Sequence, residues 1–125
     1  MKRLILLCLA AVLALAGCAP AEHGEGDYLI YGRTALETSG GSDVIGAWRS
    51  TAMGETDERV ASDLVRQIVA PEEEQFESPL PQGTRLLSLN IENGLATVDL
   101  SIQYAGLSGI DLTIADACIT LTLCQ

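Results

Sequence analysis

The amino-acid sequence predicts one small α+β domain that follows an export signal. Two observations predict this fold class. Residues 56–70 have the periodicity of an amphipathic helix, and residues 87–91 and 96–100 alternate between apolar and polar side chains around an Asn-Gly pair. Each of these units has one apolar face that must be covered, most simply by laying the helix on the hairpin. A chain of 125 residues has room for one such domain.

The first residues predict a lipoprotein signal. A basic start leads into an unbroken apolar run over residues 4–15, which is shorter than the ~20 residues that a spanning helix needs. Residues 15–18 then read Leu-Ala-Gly-Cys. A thiolate is the nucleophile that can accept a diacylglyceryl group. We therefore expect cleavage after residue 17, with the mature protein held at the outer face of the cell membrane by lipid on Cys18.

Charge excludes some partners. Cleavage removes Lys2 and Arg3 and no acid, which leaves five arginines against seventeen acids and changes the formal net charge from −10 to −12. A chain this acidic is not expected to bind nucleic acid or to grip anionic lipid through a basic patch. The negative charge fits a domain that anionic headgroups repel from the membrane surface while the lipid on Cys18 holds the protein at that membrane.

Two cysteines remain in the mature domain, because Cys8 leaves with the signal and Cys18 takes the lipid. Cys118 and Cys124 would lie roughly 9 Å apart along a helix or about 20 Å apart along a strand. Both distances exceed the roughly 7 Å that a disulfide allows between Cα atoms. A disulfide would therefore need an irregular segment, and buried free thiols are the favoured alternative.

The mature chain begins with a tether. Residues 18–27 are small, polar and interrupted by proline and glycine, and His23 among them is expected to be solvated. Aromatic and β-branched residues predict a strand at 28–31, followed by a loop over 32–42. Residues 43–51 predict either a second strand or an extended crossing.

The helix has clear ends. Thr56 suits the N-cap, Asp57 and Glu58 complement the helix dipole in the first turn, and Pro71 ends the helix. Its apolar face consists of Val60, Ala61, Leu64, Val65 and Ile68. An acidic connector over 72–81 follows. Its glutamates are expected to form a solvated loop rather than a cation site, since nothing fixes them toward one point. They are Glu72, Glu73, Glu74 and Glu77.

The hairpin is the strongest β signal. Its expected apolar face is formed by Leu87, Leu89, Ile91, Ala96, Val98 and Leu100. The turn is Glu92-Asn93-Gly94, whose Asn-Gly pair tolerates positive φ. Residues 104–109 then predict a loop. The last segment fits two patterns, because 119–123 alternates like a strand while 111–123 also fits an apolar helix, and the period alone leaves both open.

The chain resembles a known family. Residues 78–88 read Ser-Pro-Leu-Pro-Gln-Gly-Thr-Arg-Leu-Leu-Ser, and residues 91–101 read Ile-Glu-Asn-Gly-Leu-Ala-Thr-Val-Asp-Leu-Ser. These two motifs resemble those of the GerMN domain of sporulation and spore germination proteins. The resemblance is strongest over residues 77–101 and extends loosely over residues 28–123. The resemblance implies an α+β fold of the ring-building-motif type, with a central β-hairpin and two helices on one face of a small sheet.

The resemblance has further implications. It implies that residues 111–123 form the second helix. It also implies that the protein is an exported or lipid-anchored factor with an assembly or structural role and without enzymatic activity. Domains of this family usually continue into a closing strand, whereas this sequence stops at Gln125. The domain, residues 28–125, is therefore expected to be short at its C-terminus. Three explanations are open: a partner protein supplies the closing strand, this copy of the domain is truncated, or the sheet edge is simply left short. Truncation is the favoured explanation.

Three classes of function compete. The leading one is a protein-binding module of the envelope, in which a partner adds a strand to an open sheet edge. The second is a small-ligand or cell-wall binder that uses Trp48 and Tyr104 as aromatic platforms.

The third class is an enzyme. Catalysis needs a nucleophile with a base, or a metal with its ligands. Cys118 and Cys124 have no histidine partner, while Asp99 is expected to end a strand and Asp111 to begin a helix. We predict no catalytic residue, no metal ligand and no cofactor.

Overall fold

The computed structural model describes residues 23–35, 44–51 and 55–125. The predicted signal segment 1–17 and the predicted lipidation residue Cys18 lie outside them. The predicted α+β class is confirmed, with the strands divided between two small antiparallel sheets. The elements are β1 (Asp27–Thr34), β2 (Val44–Ser50), α1 (Asp57–Val69), β3 (Phe76–Glu77), β4 (Leu86–Glu92), β5 (Leu95–Leu100), a 3-10 turn (Ile102–Gly106) and α2 (Gly109–Leu123).

Helix α1 connects the two sheets. The first sheet has the order β2-β1-β3, and the second is the β4–β5 hairpin. Helix α1 packs against both β1 and β4, while α2 packs against β1 and α1. The buried core lies where these elements meet and consists of Ile30, Leu64, Ile68, Phe76, Leu80 and Ala115.

Strand β1 is longer than the sequence predicted. It continues through Gly32, assigned above to a loop, because β2 pairs with it as far as Arg33 opposite Val44. Gly32 is required there by close packing. A Cβ atom at this position would lie 2.3 Å from Cζ of Phe76, which is closer than real Cβ atoms approach. Residues 44–50 form the predicted strand and not an extended crossing.

Helix α1 is formed as predicted. The Thr56 hydroxyl accepts a hydrogen bond from the Arg59 N–H at 3.4 Å, and Asp57 and Glu58 occupy the first turn. Four residues of the expected apolar face are buried, namely Ala61, Leu64, Val65 and Ile68.

The hairpin turn also forms as predicted, but Leu87 and Ala96 of the expected apolar face are exposed. Asn93 has a φ of 53° and Gly94 a φ of 77°, as a tight hairpin turn requires. The alternation was wrong at Leu87, which is 58% exposed. An irregularity between Leu86 and Ser88 shifts the register, so Leu86 lies opposite Leu100 and the side chain of Leu87 turns outward.

The acidic connector contains structure that the sequence did not predict. Phe76 is 3% exposed and begins the two-residue strand β3, which pairs with Arg33 and Thr34 of β1. The connector is therefore tied to the first sheet at this point, although Glu72, Glu73 and Glu74 are exposed as expected.

The last segment is a helix, in agreement with the resemblance. Cys118 and Thr122 of α2 are fully buried, while Ile110 is 75% exposed. Within residues 55–125 no strand follows α2. The shortness of the domain at its C-terminus stays a prediction.

Candidate functional site

One edge of β1 is closed by side chains instead of by a strand. On this side β3 reaches only Arg33 and Thr34. Further along, the Gln125 carboxamide accepts a hydrogen bond from the Leu29 N–H and donates one to the Leu29 carbonyl, both at 2.8 Å. The Tyr31 N–H donates to the Thr122 hydroxyl at 3.1 Å. Thr122 of α2 and Gln125, which lies two residues beyond its end, thus satisfy backbone groups that a paired strand would otherwise satisfy.

The hairpin shows the same arrangement on β4. The Ile91 N–H donates to the Glu58 carboxylate of α1 at 3.0 Å. A cleft lies between the two capped edges, with Tyr28 and Gln125 on one side, Ile91 on the other and Leu64 among its apolar lining. Polar side chains and apolar surface therefore occur together in this cleft.

The end of the tether is packed against the first sheet. The His23 ring stacks on Trp48, with centroids 3.5 Å apart, so His23 is not simply solvated as expected. The Asp27 carboxylate accepts hydrogen bonds from the Ser50 hydroxyl at 2.5 Å and from the Gly24 N–H at 2.8 Å. These bonds hold the pKa of Asp27 below its usual range, and the bond from Ser50 has the larger effect.

The two aromatic platforms predicted for a ligand binder are both engaged. Trp48 is 46% exposed, but His23 covers one face of its ring. Tyr104 is half-buried, and its hydroxyl donates a hydrogen bond to Asp116. This bond, with burial and the nearby negative charge of Asp116, raises the pKa of Tyr104 to about 12.

The candidate nucleophiles and acids lie apart. Cys118 and Cys124 are free thiols; Cys118 is buried, whereas Cys124 is exposed and not buried as expected. Burial raises the pKa of the Cys118 thiol and favours its uncharged form. Asp99 lies opposite Ser88 in the hairpin, while Asp111 pairs with Arg33 at 2.6 Å.

The acidic connector does not form a metal site in the part of the chain that the structure describes. No group of three or more histidine, cysteine, aspartate or glutamate side chains there could hold a metal ion. Within the described ranges, no helix has the length and apolar character needed to cross a membrane.

Sequence reasoning missed two residues that organise this surface. Gln125 was treated only as the end of the sequence, and a lone terminal glutamine carries no recognisable signal. Arg49 shares the covered face of β2 with Ile45 and Ala47. The alternation of apolar residues around Arg49 could have placed it on that face.

Together, the fold and this site define a small α+β module whose distinctive features are capped backbone edges. A family model described as sporulation and spore germination, named Germane, matches residues 37–125, and the chain therefore belongs to that family. The recognition of a GerMN domain in the sequence is confirmed.

A comparison with solved structures agrees on the fold. A 2.5 Å crystal structure of a candidate lipoprotein from Clostridium perfringens aligns with a TM-score of 0.50 and 19% sequence identity. The alignment covers 86% of this chain and 72% of that one. The comparison with curated proteins returns no match.

Proposed function

We propose that this protein is a lipid-anchored, non-catalytic envelope protein that acts as an assembly or structural factor in sporulation or spore germination. The family match over residues 37–125 carries the proposal. The apolar run that ends at Cys18 supports the anchor. The fold shared with a candidate lipoprotein also supports it.

The distance from anchor to domain is short. His23, which stacks on Trp48, is five residues from Cys18. An extended chain of that length spans at most about 18 Å. The stack therefore keeps the start of β1 close to the membrane, while the net negative charge of the mature protein opposes contact with anionic headgroups.

The chemistry of the described residues supports a non-catalytic role. The Cys118 thiol is buried and favoured in its uncharged form, which is a poor nucleophile. His23 stacks on an indole, and Asp111 forms an ion pair with Arg33. Each of these groups thus has a structural role that accounts for its position.

The capped edge of β1 is the surface that best suits an assembly role. An extended segment of another envelope protein can replace the Gln125 carboxamide at the Leu29 N–H and carbonyl. Asp57 and Glu58 lie beside the same cleft, so a segment flanked by lysine or arginine is favoured by charge.

The proposal is tested by crosslinking a tagged full-length protein in growing and in sporulating cells, followed by detergent extraction and mass spectrometry. Reproducible recovery of a few envelope proteins, lost in Cys18→Ala and retained in Cys8→Ala, is expected. The Cys8 variant is the matched control, because it makes the same change within the signal and leaves the lipidation residue intact. Recovery of the same proteins with both variants would contradict a lipid-positioned role.

A further inference from the structure

The first sheet has an apolar face that points away from the core, which we call the outer face. Along β2, Ile45 and Ala47 pack against the core, while the residues that alternate with them are exposed. Residues of β1 that pair directly with these exposed residues lie on the same face. The apolar side chains of the outer face are Leu29, Tyr31, Val44 and Trp48.

These side chains form an exposed patch. Leu29 pairs with Trp48, and a Cβ atom at Gly46 would lie 3.1 Å from Cδ1 of Leu29, so the glycine leaves room for the leucine on this face. Trp48 is 46% exposed and Val44 is 40% exposed. Adjoining apolar side chains that stay open to water indicate a surface that another molecule or a membrane covers.

The outer face is nearly neutral, in contrast to the strongly acidic chain. Asp27 lies at one end of it and Arg33 at the other, and within β1 and β2 no charged side chain of this face lies between them. Both charges are paired, since Asp27 accepts a hydrogen bond from Ser50 at 2.5 Å and Arg33 lies 2.6 Å from Asp111. The patch therefore presents little charge to what covers it.

The tether reaches the domain at this face. His23 stacks on Trp48 with the ring centroids 3.5 Å apart, and the Gly24 N–H donates to Asp27 at 2.8 Å. Cys18 is five residues before His23, and an extended chain of that length spans at most about 18 Å. This reach is shorter than β2, whose seven residues span about 23 Å. A lipid on Cys18 therefore brings the outer face toward the bilayer.

We propose that the outer face lies against the membrane interface, with its four apolar side chains among the headgroups of lipids that carry no net charge. This inference rests on the proposed lipid anchor. Tryptophan and tyrosine suit the interface, because each combines an apolar ring with one polar group. The contact adds buried apolar area to the lipid anchor and orients the domain. The capped edge of β1 then stays at the side, where a partner can reach it.

The test reconstitutes the protein purified from membranes into phosphatidylcholine vesicles with and without bromine on the acyl chains. Trp48 is the only tryptophan of the chain, so its fluorescence reports on the outer face. Flotation of the same vesicles measures the anchor. We expect the protein to float, Trp48 to lose fluorescence in the brominated vesicles, and acrylamide in the water to quench it less than in detergent.

The outcomes separate the face from the anchor. Flotation without loss of Trp48 fluorescence would overturn the contact of the outer face and leave the lipid anchor intact. Absence of flotation would overturn the anchor and this inference with it. Protection from acrylamide without quenching by bromine would mean that a second copy or another protein covers the face, and it would also overturn the proposal.

Variants locate the contact. In Val44→Asp, quenching by the brominated lipid should be lost, because a charge on the outer face would have to leave water. Leu87→Asp is the matched control, since Leu87 is 58% exposed in a strand of the hairpin, and it should be quenched like the unchanged protein. Both variants should float, because Cys18 is unchanged. Equal quenching in the two variants would overturn the proposal.

Lipid charge gives a second check. Adding phosphatidylglycerol should weaken the quenching at low salt, because the net negative charge of the mature protein opposes anionic headgroups. Stronger quenching with phosphatidylglycerol would mean that charge holds the domain at the surface, and it would overturn a contact made by the apolar patch.

Discussion

Gln125 closes the backbone of Leu29 in the way that a neighbouring strand would. Its Oε1 accepts from the Leu29 N–H and its Nε2 donates to the Leu29 carbonyl, each at 2.8 Å. The same Nε2 also donates to the Thr122 carbonyl at 2.6 Å, which holds the carboxamide against α2. A primary amide has the donor and acceptor of a peptide group, so this contact satisfies an edge without extending the sheet.

Removing this contact should open the edge locally. In Gln125→Ala, the Leu29 amide is expected to exchange hydrogen about fivefold faster, because one hydrogen bond of about 1 kcal/mol is lost. The Tyr31 amide, which is held by Thr122, should keep its rate. Amide exchange followed by NMR measures both. Gln82→Ala, at an exposed turn position, is the control. An unchanged Leu29 rate would show that the carboxamide does not close the edge.

The hairpin turn depends on Gly94. Its φ of 77° is strained for a residue with a Cβ, so Gly94→Ala should lower the free energy of unfolding by about 1 kcal/mol. Urea unfolding measures the change. Gly106→Ala is the matched control, since its φ lies outside the strained region and a Cβ there meets nothing within 4 Å. Equal effects of the two substitutions would contradict the turn assignment.

The bond between Tyr104 and Asp116 should be visible in a pH titration. The pKa of Tyr104 is about 12, against an ordinary 10, which means that the folded state binds the hydroxyl proton more tightly than the unfolded state does. Its stabilising contribution is therefore fully present below pH 10 and is lost as the pH rises toward 12.

Substitution identifies the cause of this raised pKa. In Asp116→Asn, the Tyr104 pKa should fall toward its ordinary value because the negative acceptor is gone. Tyrosinate absorbance reports the titration, with the curve of Tyr104→Phe subtracted to remove the other tyrosines. Asp99 lines a shallow cleft together with Tyr104 and Asp116 but forms no bond to Tyr104, so Asp99→Asn should leave the pKa of Tyr104 near 12. The same fall in both variants would rule out a specific bond.

The two free thiols should react at different rates. Iodoacetamide is expected to modify the exposed Cys124 in the folded protein and to reach Cys118 only after denaturant is added. Peptide mapping by mass spectrometry assigns the sites. Cys124→Ser should abolish the fast reaction of this region and leave the slow one. Modification of both thiols at equal rates would mean that α2 opens readily.

Local chemistry explains why parts of this fold could be predicted from the sequence. A capping threonine with acids in the first turn marks the start of α1, and Asn93-Gly94 marks the hairpin turn, because each feature acts within a few residues. Helix α2 was ambiguous because its apolar residues are not confined to one face. The family resemblance decided between helix and strand, and the structure confirms the helix.

The remaining features depend on contacts between distant parts of the chain. From the sequence alone Gly32 is assigned to a loop, because its packing against Phe76 is visible only in the structure. Phe76 lies among acidic residues in a strand of two residues, which is too short to show a periodic pattern. The cap of Leu29 by Gln125 joins positions 96 residues apart. No local pattern encodes such contacts.

The central claim, a domain held at the membrane through Cys18, is tested most directly by the mass of the N-terminal peptide of the protein extracted from membranes. We expect a peptide that begins at Cys18 and carries a diacylglyceryl group, with residues 1–17 absent. A peptide that begins at Met1, or one that contains Cys18 with a free thiol, would contradict it.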